Sequence, residues 1–123
     1  MTPLARAIGG DAAAIADVAR TPHDDLRQSA ASGELLVTRR AVARVLNDLL
    51  ECRISPTVAQ QWASFIKRGY VAGGSGGSIR PLDIEWQDED LLVEVLARLD
   101  ELGDPVDGSM SDDELQSWRD RLT

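Results

Sequence analysis

The chain has 123 residues, 43% of them apolar but only five aromatic, and a net charge of −8; that is enough for one domain whose core is filled mainly by Leu, Val, Ala and Ile. No apolar run reaches the roughly 18–20 residues of a membrane span, the first residues lack the basic head and apolar segment of a secretory signal, and the acidic balance argues against general phosphate binding. One cysteine, Cys52, excludes an internal disulfide and suits a reducing compartment, so the cytosol is the expected location.

Thr2-Pro3 reads as the start of a short helix, because proline is preorganised for the first helical position, and Gly9-Gly10 as its stop. Asp11 is placed to cap a second helix running to about Arg20, with Ile15 and Val18 inward. Thr21-Pro22 opens a third, through about Ser32, with Gly33 ending it. These pieces carry few large apolar residues and are expected to pack late or fray.

The pattern then strengthens. Thr38 caps a helix whose Val42, Val45, Leu46, Leu49 and Leu50 follow the spacing of one buried face. Ser55-Pro56 combines a cap with a first-turn proline, and the helix that follows buries Val58, Trp62, Phe65 and Ile66 before Gly69. Residues 71–87 form a glycine-rich loop by composition. Gly73 to Ser78 reads as a flexible linker, either engineered, as it looks, or a natural loop; no Lys follows its glycines, so a P-loop is not expected. Leu82, Ile84 and Trp86 alternate with Asp83 and Glu85, as in a short extended segment whose candidate partner is Leu35–Val37. The second hairpin begins near Asp88, with Asp88, Glu89 and Asp90 complementing the helix dipole. Its apolar face is Leu92, Val95, Leu96, Leu99 and Leu102, and Gly103 stops it. Ser111 and Glu114 form a capping box, flanked by Met110 and Leu115 as a hydrophobic staple, and Leu115, Trp118 and Leu122 point inward.

The two hairpins echo each other. Val45-Leu46, Leu49, Glu51, Ile54-Ser55, Gln60, Trp62 and Ile66 recur as Val95-Leu96, Leu99, Glu101, Met110-Ser111, Gln116, Trp118 and Leu122. Each hairpin is too small to bury its own stripe, so the two are expected to share apolar faces. The expected fold is all-α, a small helical bundle of two helix-turn-helix hairpins (38–70 and 88–123) plus short N-terminal helices (1–37), in a single domain spanning 1–123. The copies differ in charge: residues 1–37 carry −2, 38–70 carry +4, and 71–123 carry −10.

Several short patterns bear on function. The second half of 103–114 resembles an EF-hand calcium loop, with Asp107-Gly108, Met110 and Glu114 in register. Gly103 and Pro105 stand where two oxygen ligands belong, which removes most of the expected affinity. Leu49 through Trp62 is similar to a DNA-binding helix-turn-helix, with Thr57, Gln60, Gln61 and Ser64 on the reading helix and Lys67 and Arg68 at its end. Arg53 and Leu49 depart from that pattern, and nucleic acid is not the expected partner. His23 beside Asp24 and Asp25 reads as a surface histidine, since no nucleophile accompanies it. Cys52 reads as a buried thiol, with no spacing that suggests metal. Trp62 and Trp118 sit on apolar stripes and read as core, whereas Trp86 reads as a candidate anchor for a partner. No base–nucleophile pair can be assembled, so an enzyme is not expected, nor is any cofactor.

Gln61-Trp62-Ala63-Ser64-Phe65-Ile66, taken with Leu99-Asp100-Glu101-Leu102-Gly103-Asp104 and Asp107-Gly108, resembles small, mostly helical bacterial proteins that are similar in overall character to toxin-neutralising immunity proteins. The resemblance covers roughly residues 38–122 and transfers no functional residue. It implies a bacterial, cytosolic protein that binds a protein partner. The fourteen acids between Asp83 and Asp120 make a basic partner the natural fit, through charge complementarity. The expected contact residues are Trp86, Asp88, Glu89, Asp90, Asp104, Asp107, Asp112, Asp113 and Glu114.

Overall fold

The computed structural model describes residues 2–31, 35–70, 81–102 and 108–122. The fold is all-α: α1 (Pro3–Ile8), a short 3-10 turn (Ala12–Ala14), α2 (Ile15–Arg20), α3 (His23–Ala31), α4 (Arg39–Leu50), α5 (Pro56–Arg68), α6 (Glu89–Asp100) and α7 (Asp112–Leu122). Two short strands, β1 (Leu36–Val37) and β2 (Glu85–Trp86), complete it. The expected Gly73–Ser78 linker and the stops at Gly33 and Gly103 lie outside the described residues.

The helix starts follow their capping residues. The hydroxyl of Thr2 accepts the Ala5 N–H, Thr38 that of Ala41, Ser55 that of Val58 and Ser111 that of Glu114, at 3.1–3.2 Å. Each satisfies a backbone donor that the first turn of a helix leaves unpaired. Gly69 ends α5 in the left-handed region, φ 78°, where glycine carries no Cβ penalty. Asp11 departs from expectation: its side chain makes no cap bond, and a 3-10 turn precedes α2 instead of a continuous helix. Its carboxylate lies 4.0 Å from Arg6. Arg6 also reaches Asp17 at 2.9 Å. Hydrogen bonds from Arg20 and then Arg6 hold the Asp17 carboxyl below the usual carboxylate range and tie α2 to α1.

The repeat seen in the sequence becomes a reciprocal structure. α4 and α6 have the same length, 12 residues, fifty positions apart. α4 packs most extensively on α7, and α5 on α6, while α4 and α5 touch only slightly. Each helix therefore finds its main partner in the other copy. The strands follow the same rule. β1 and β2 pair in parallel, Leu36 opposite Glu85 and Val37 opposite Trp86. The Glu85 N–H donates to Leu35 O at 2.7 Å and the Gln87 N–H to Val37 O at 2.9 Å. The extended segment expected around Trp86 thus pairs with the segment expected to receive it. The shared core holds Val42, Val45, Leu46, Trp62, Phe65, Ile66, Leu92, Val95, Leu96 and Leu99, all almost fully buried.

The N-terminal third is part of this core, contrary to the expectation of fraying. Leu4, Ala7, Ala12, Ala14, Ile15, Val18 and Leu26 are buried. The Trp62 indole N–H donates to the Ala7 carbonyl at 2.7 Å, so the largest core side chain is fixed by the first helix. Cys52 is also corrected: it is exposed, in the left-handed region at φ 58°, in the turn after α4. The turn bends the chain before Cys52 can join the α4 stripe.

Gly10 lets α1 approach α4. Its φ is +96°, and a Cβ there would stand 2.4 Å from the Ala41 carbonyl oxygen, a backbone atom that cannot turn aside. Gly9 has φ −77°, and a Cβ there would meet nothing nearer than 3.4 Å. Gly10→Ala is expected to destabilise the protein by about 2–4 kcal/mol, through strain and displaced backbone, while Gly9→Ala stays within about 0.5 kcal/mol of wild type. Urea unfolding midpoints check both; equal midpoints for the two variants would contradict the close approach.

Candidate functional site

The acidic residues singled out in the sequence fall at two ends of α6. The first group lies where α6 meets the small sheet. Asp88 is the N-cap of α6 and adopts a left-handed backbone, φ 52° and ψ 61°, without a side-chain cap bond. Its carboxylate lies 3.9 Å from Arg39. Gln87 Oε1 accepts the Arg39 N–H at 3.0 Å, so the segment before α6 caps α4 of the other copy. Trp86 is half-buried and packs against the core. Beside it opens a cleft of about 450 Å³ lined by Leu36, Ile84, Glu85, Trp86 and Glu89.

Two residues that sequence reasoning missed belong to this end. Leu36 and Val93, 38% and 45% exposed, are the large hydrophobic side chains left in solvent among the described residues. Leu36 lines the cleft with Glu89. Val93 follows Glu89 by four positions, which places it one turn along the same helical face. Glu85 and Glu89 line the cleft with Leu36, and Asp90 follows Glu89 in the first turn of α6; all three are exposed, and none has an ion-pair partner among the described residues. The available signal was Val93 itself, an apolar residue set off the Leu92–Val95–Leu96–Leu99 stripe and among acids.

The second group lies at the start of α7. Asp112 and Asp113 are exposed in its first turn. Glu114 is engaged within the protein: Arg98 donates to both carboxylate oxygens, Nε to Oε2 at 2.7 Å and Nη2 to Oε1 at 3.1 Å. The Trp118 indole adds a 3.4 Å bond. Arg98 also reaches Ser109 O at 2.6 Å and Glu101 at 3.0 Å, which fixes the approach to α7. The Arg98 bond holds the Glu114 carboxyl below its ordinary range. Asp112 lines a cleft of about 510 Å³ between the two interhelical turns, with Leu49, Cys52, Ile54, Leu102 and Met110. Asp104 and Asp107 lie outside the described residues. A 12-residue helix is about 18 Å long at 1.5 Å per residue. The two acidic groups therefore do not merge into one surface.

Part of the opposite charge on the two copies is used between them. Asp100 of α6 accepts from Gln60 at 2.9 Å and pairs with Lys67 at 3.1 Å, both on α5. The side chains that a DNA-reading α5 would offer are thereby reduced: Gln60 and Lys67 hold Asp100, and Ser64 is buried and bonded to Arg68. A calcium ion at 103–114 would compete with Arg98 for both oxygens of Glu114, its bidentate ligand. Among the described residues no cluster of His, Cys, Asp or Glu is placed to hold a metal, and no helix is long and apolar enough to cross a membrane.

Arg98→Met is expected to cost roughly 1–2 kcal/mol, the scale of a partly buried charge-assisted pair. The pair also carries a pH signature. Because the folded Glu114 carboxyl is depressed, its contribution is complete above the unfolded carboxylate range and declines below about pH 5, as the unfolded chain takes up the proton first. Wild type should lose this increment progressively as the pH falls below about 5, and Arg98→Met should lack it. Denaturant midpoints at stepped pH measure the difference; parallel curves would show that the pair does not act this way. No protein family, curated protein or solved structure matches this chain, so its functional reading rests on its own residues.

Proposed function

We propose that this chain is a non-enzymatic protein-binding module, an acidic immunity-type inhibitor that covers a basic partner, and that it works in the cytosol. The observation that carries the reading is the sheet end of α6, where Leu36 and Val93 are exposed and Glu85, Glu89 and Asp90 have no ion-pair partner among the described residues. An apolar centre with a charged rim is the usual anatomy of a protein interface. The centre contributes burial, and the rim speeds encounter and rejects acidic surfaces. Trp86 supports the patch from beneath as a half-buried platform. Of the acids named from sequence, Asp88, Glu89 and Asp90 belong to this face. Asp112 and Asp113, some 18 Å away by helix length, are secondary to it, and Glu114 is structural in this reading.

Charge reversal distinguishes the ends. The Glu89→Lys/Asp90→Lys variant should bind a basic protein partner at least about tenfold more weakly, mainly through slower association. Asp112→Lys/Asp113→Lys should stay within about threefold of wild type. Affinity capture from the native cell extract, followed by binding kinetics on the captured protein, reads both. Identical captured sets from wild type and both variants would overturn the face, as would a loss confined to the Asp112/Asp113 variant.

A further inference from the structure

A separate groove lies between α2 and α5, away from the acidic ends. It encloses about 490 Å³, within the range of small-molecule sites. One wall is apolar: Ile15 forms the floor, and Ala16 and Ala19 face it from α2. The other wall is polar, made by Gln60, Gln61, Ser64 and Arg68 of α5, with the Gln60 amide turned to Asp100. The space exists because α2 presents alanines at i and i+3, where longer side chains would close it.

Arg68 sets the chemistry. Its Nη1 donates to the buried Ser64 hydroxyl, which holds the guanidinium at the groove. Among the described residues no carboxylate pairs with it, whereas Arg39, Arg53, Lys67, Arg98 and Arg121 all meet acids. Arg27, Arg40, Arg44 and Arg119 also lack an acid among the described residues; what sets Arg68 apart is that it is tethered to a buried hydroxyl at a groove. A guanidinium has five donors in a fixed fork; Ser64 takes one, and the free edge matches a carboxylate. The Gln61 amide supplies a further donor on the same wall. We propose that this groove binds a small organic carboxylate, with its head on Arg68 and its apolar body against Ala16, Ala19 and Ile15. The site is independent of the acidic face, and either can fail without the other.

Amide-resolved NMR titration of the full chain tests this, with benzoate as the probe, benzamide as its uncharged counterpart and inorganic phosphate as a bare anion. Benzoate should give saturable shifts at Ala16, Ala19, Gln61 and Ser64, and Arg68→Met should weaken them at least about tenfold. Ala19→Leu, which fills the groove from an exposed position and leaves Arg68 in place, should abolish them. Arg40→Met, on α4 and outside the groove, should leave them unchanged. The proposal is overturned if benzoate gives no saturable shift at these residues, if benzamide or phosphate binds there as well as benzoate, or if both Arg68→Met and Ala19→Leu bind as wild type does.

Discussion

The structure depends on an exchange of covers. Neither helical hairpin has a second helix that shields its first: α4 lies on α7 and α5 on α6. The cause is in the side chains. α4 and α6 each carry a buried stripe about two turns long, and the second helix of the same hairpin does not cover it. Crossing over lets both stripes be buried in one core, and the β1–β2 ladder fastens the starts of the two copies side by side. The N-terminal helices then close the remaining side, with Trp62 bonded to Ala7 as the joint.

The exchange explains the charge pattern better than a single binding surface does. A basic copy placed against an acidic copy makes Lys67–Asp100 and Arg39–Asp88 possible, so part of the segregated charge is internal. What remains for a partner is local. Glu85, Glu89 and Asp90 meet no cation among the described residues, whereas Glu114 is saturated by Arg98. The basic copy likewise keeps one tethered arginine, Arg68, facing a groove without an acid.

Local chemistry was easily read from the sequence. Thr38, Ser55 and Ser111 each cap the helix they announce, and the Trp86 segment pairs with the Leu35–Val37 segment as its alternation implied. Such features depend on neighbours within a few residues, or on a strand period that survives any tertiary context. The misses were tertiary. Asp11 has a capping residue's chemistry, but the close approach at Gly10 bends the chain into a 3-10 turn there. Cys52 lies near the apolar period of α4, but the helix ends before it. The alanines of the first third looked too small for a core, yet small residues are what let the 3-10 turn and α2 lie close to α5. The candidate face was half legible: its acids stood out by number, but its apolar centre did not, because Leu36 and Val93 look ordinary until their neighbours have buried everything else.

Crossing over also imposes an order on the chain as it is made. When residues 38–70 have left the ribosome, the stripe of α4 lacks its main cover and α5 has only the N-terminal helices against it, because α7 and α6 lie beyond residue 88. The first two-thirds of the polypeptide must therefore wait, with Val42 and Leu46 short of their main cover, until α6 and α7 emerge. Contacts between segments about fifty residues apart form slowly and leave intermediates open to aggregation. In this arrangement α7, more than sixty residues further along, is the helix that finally seals α4.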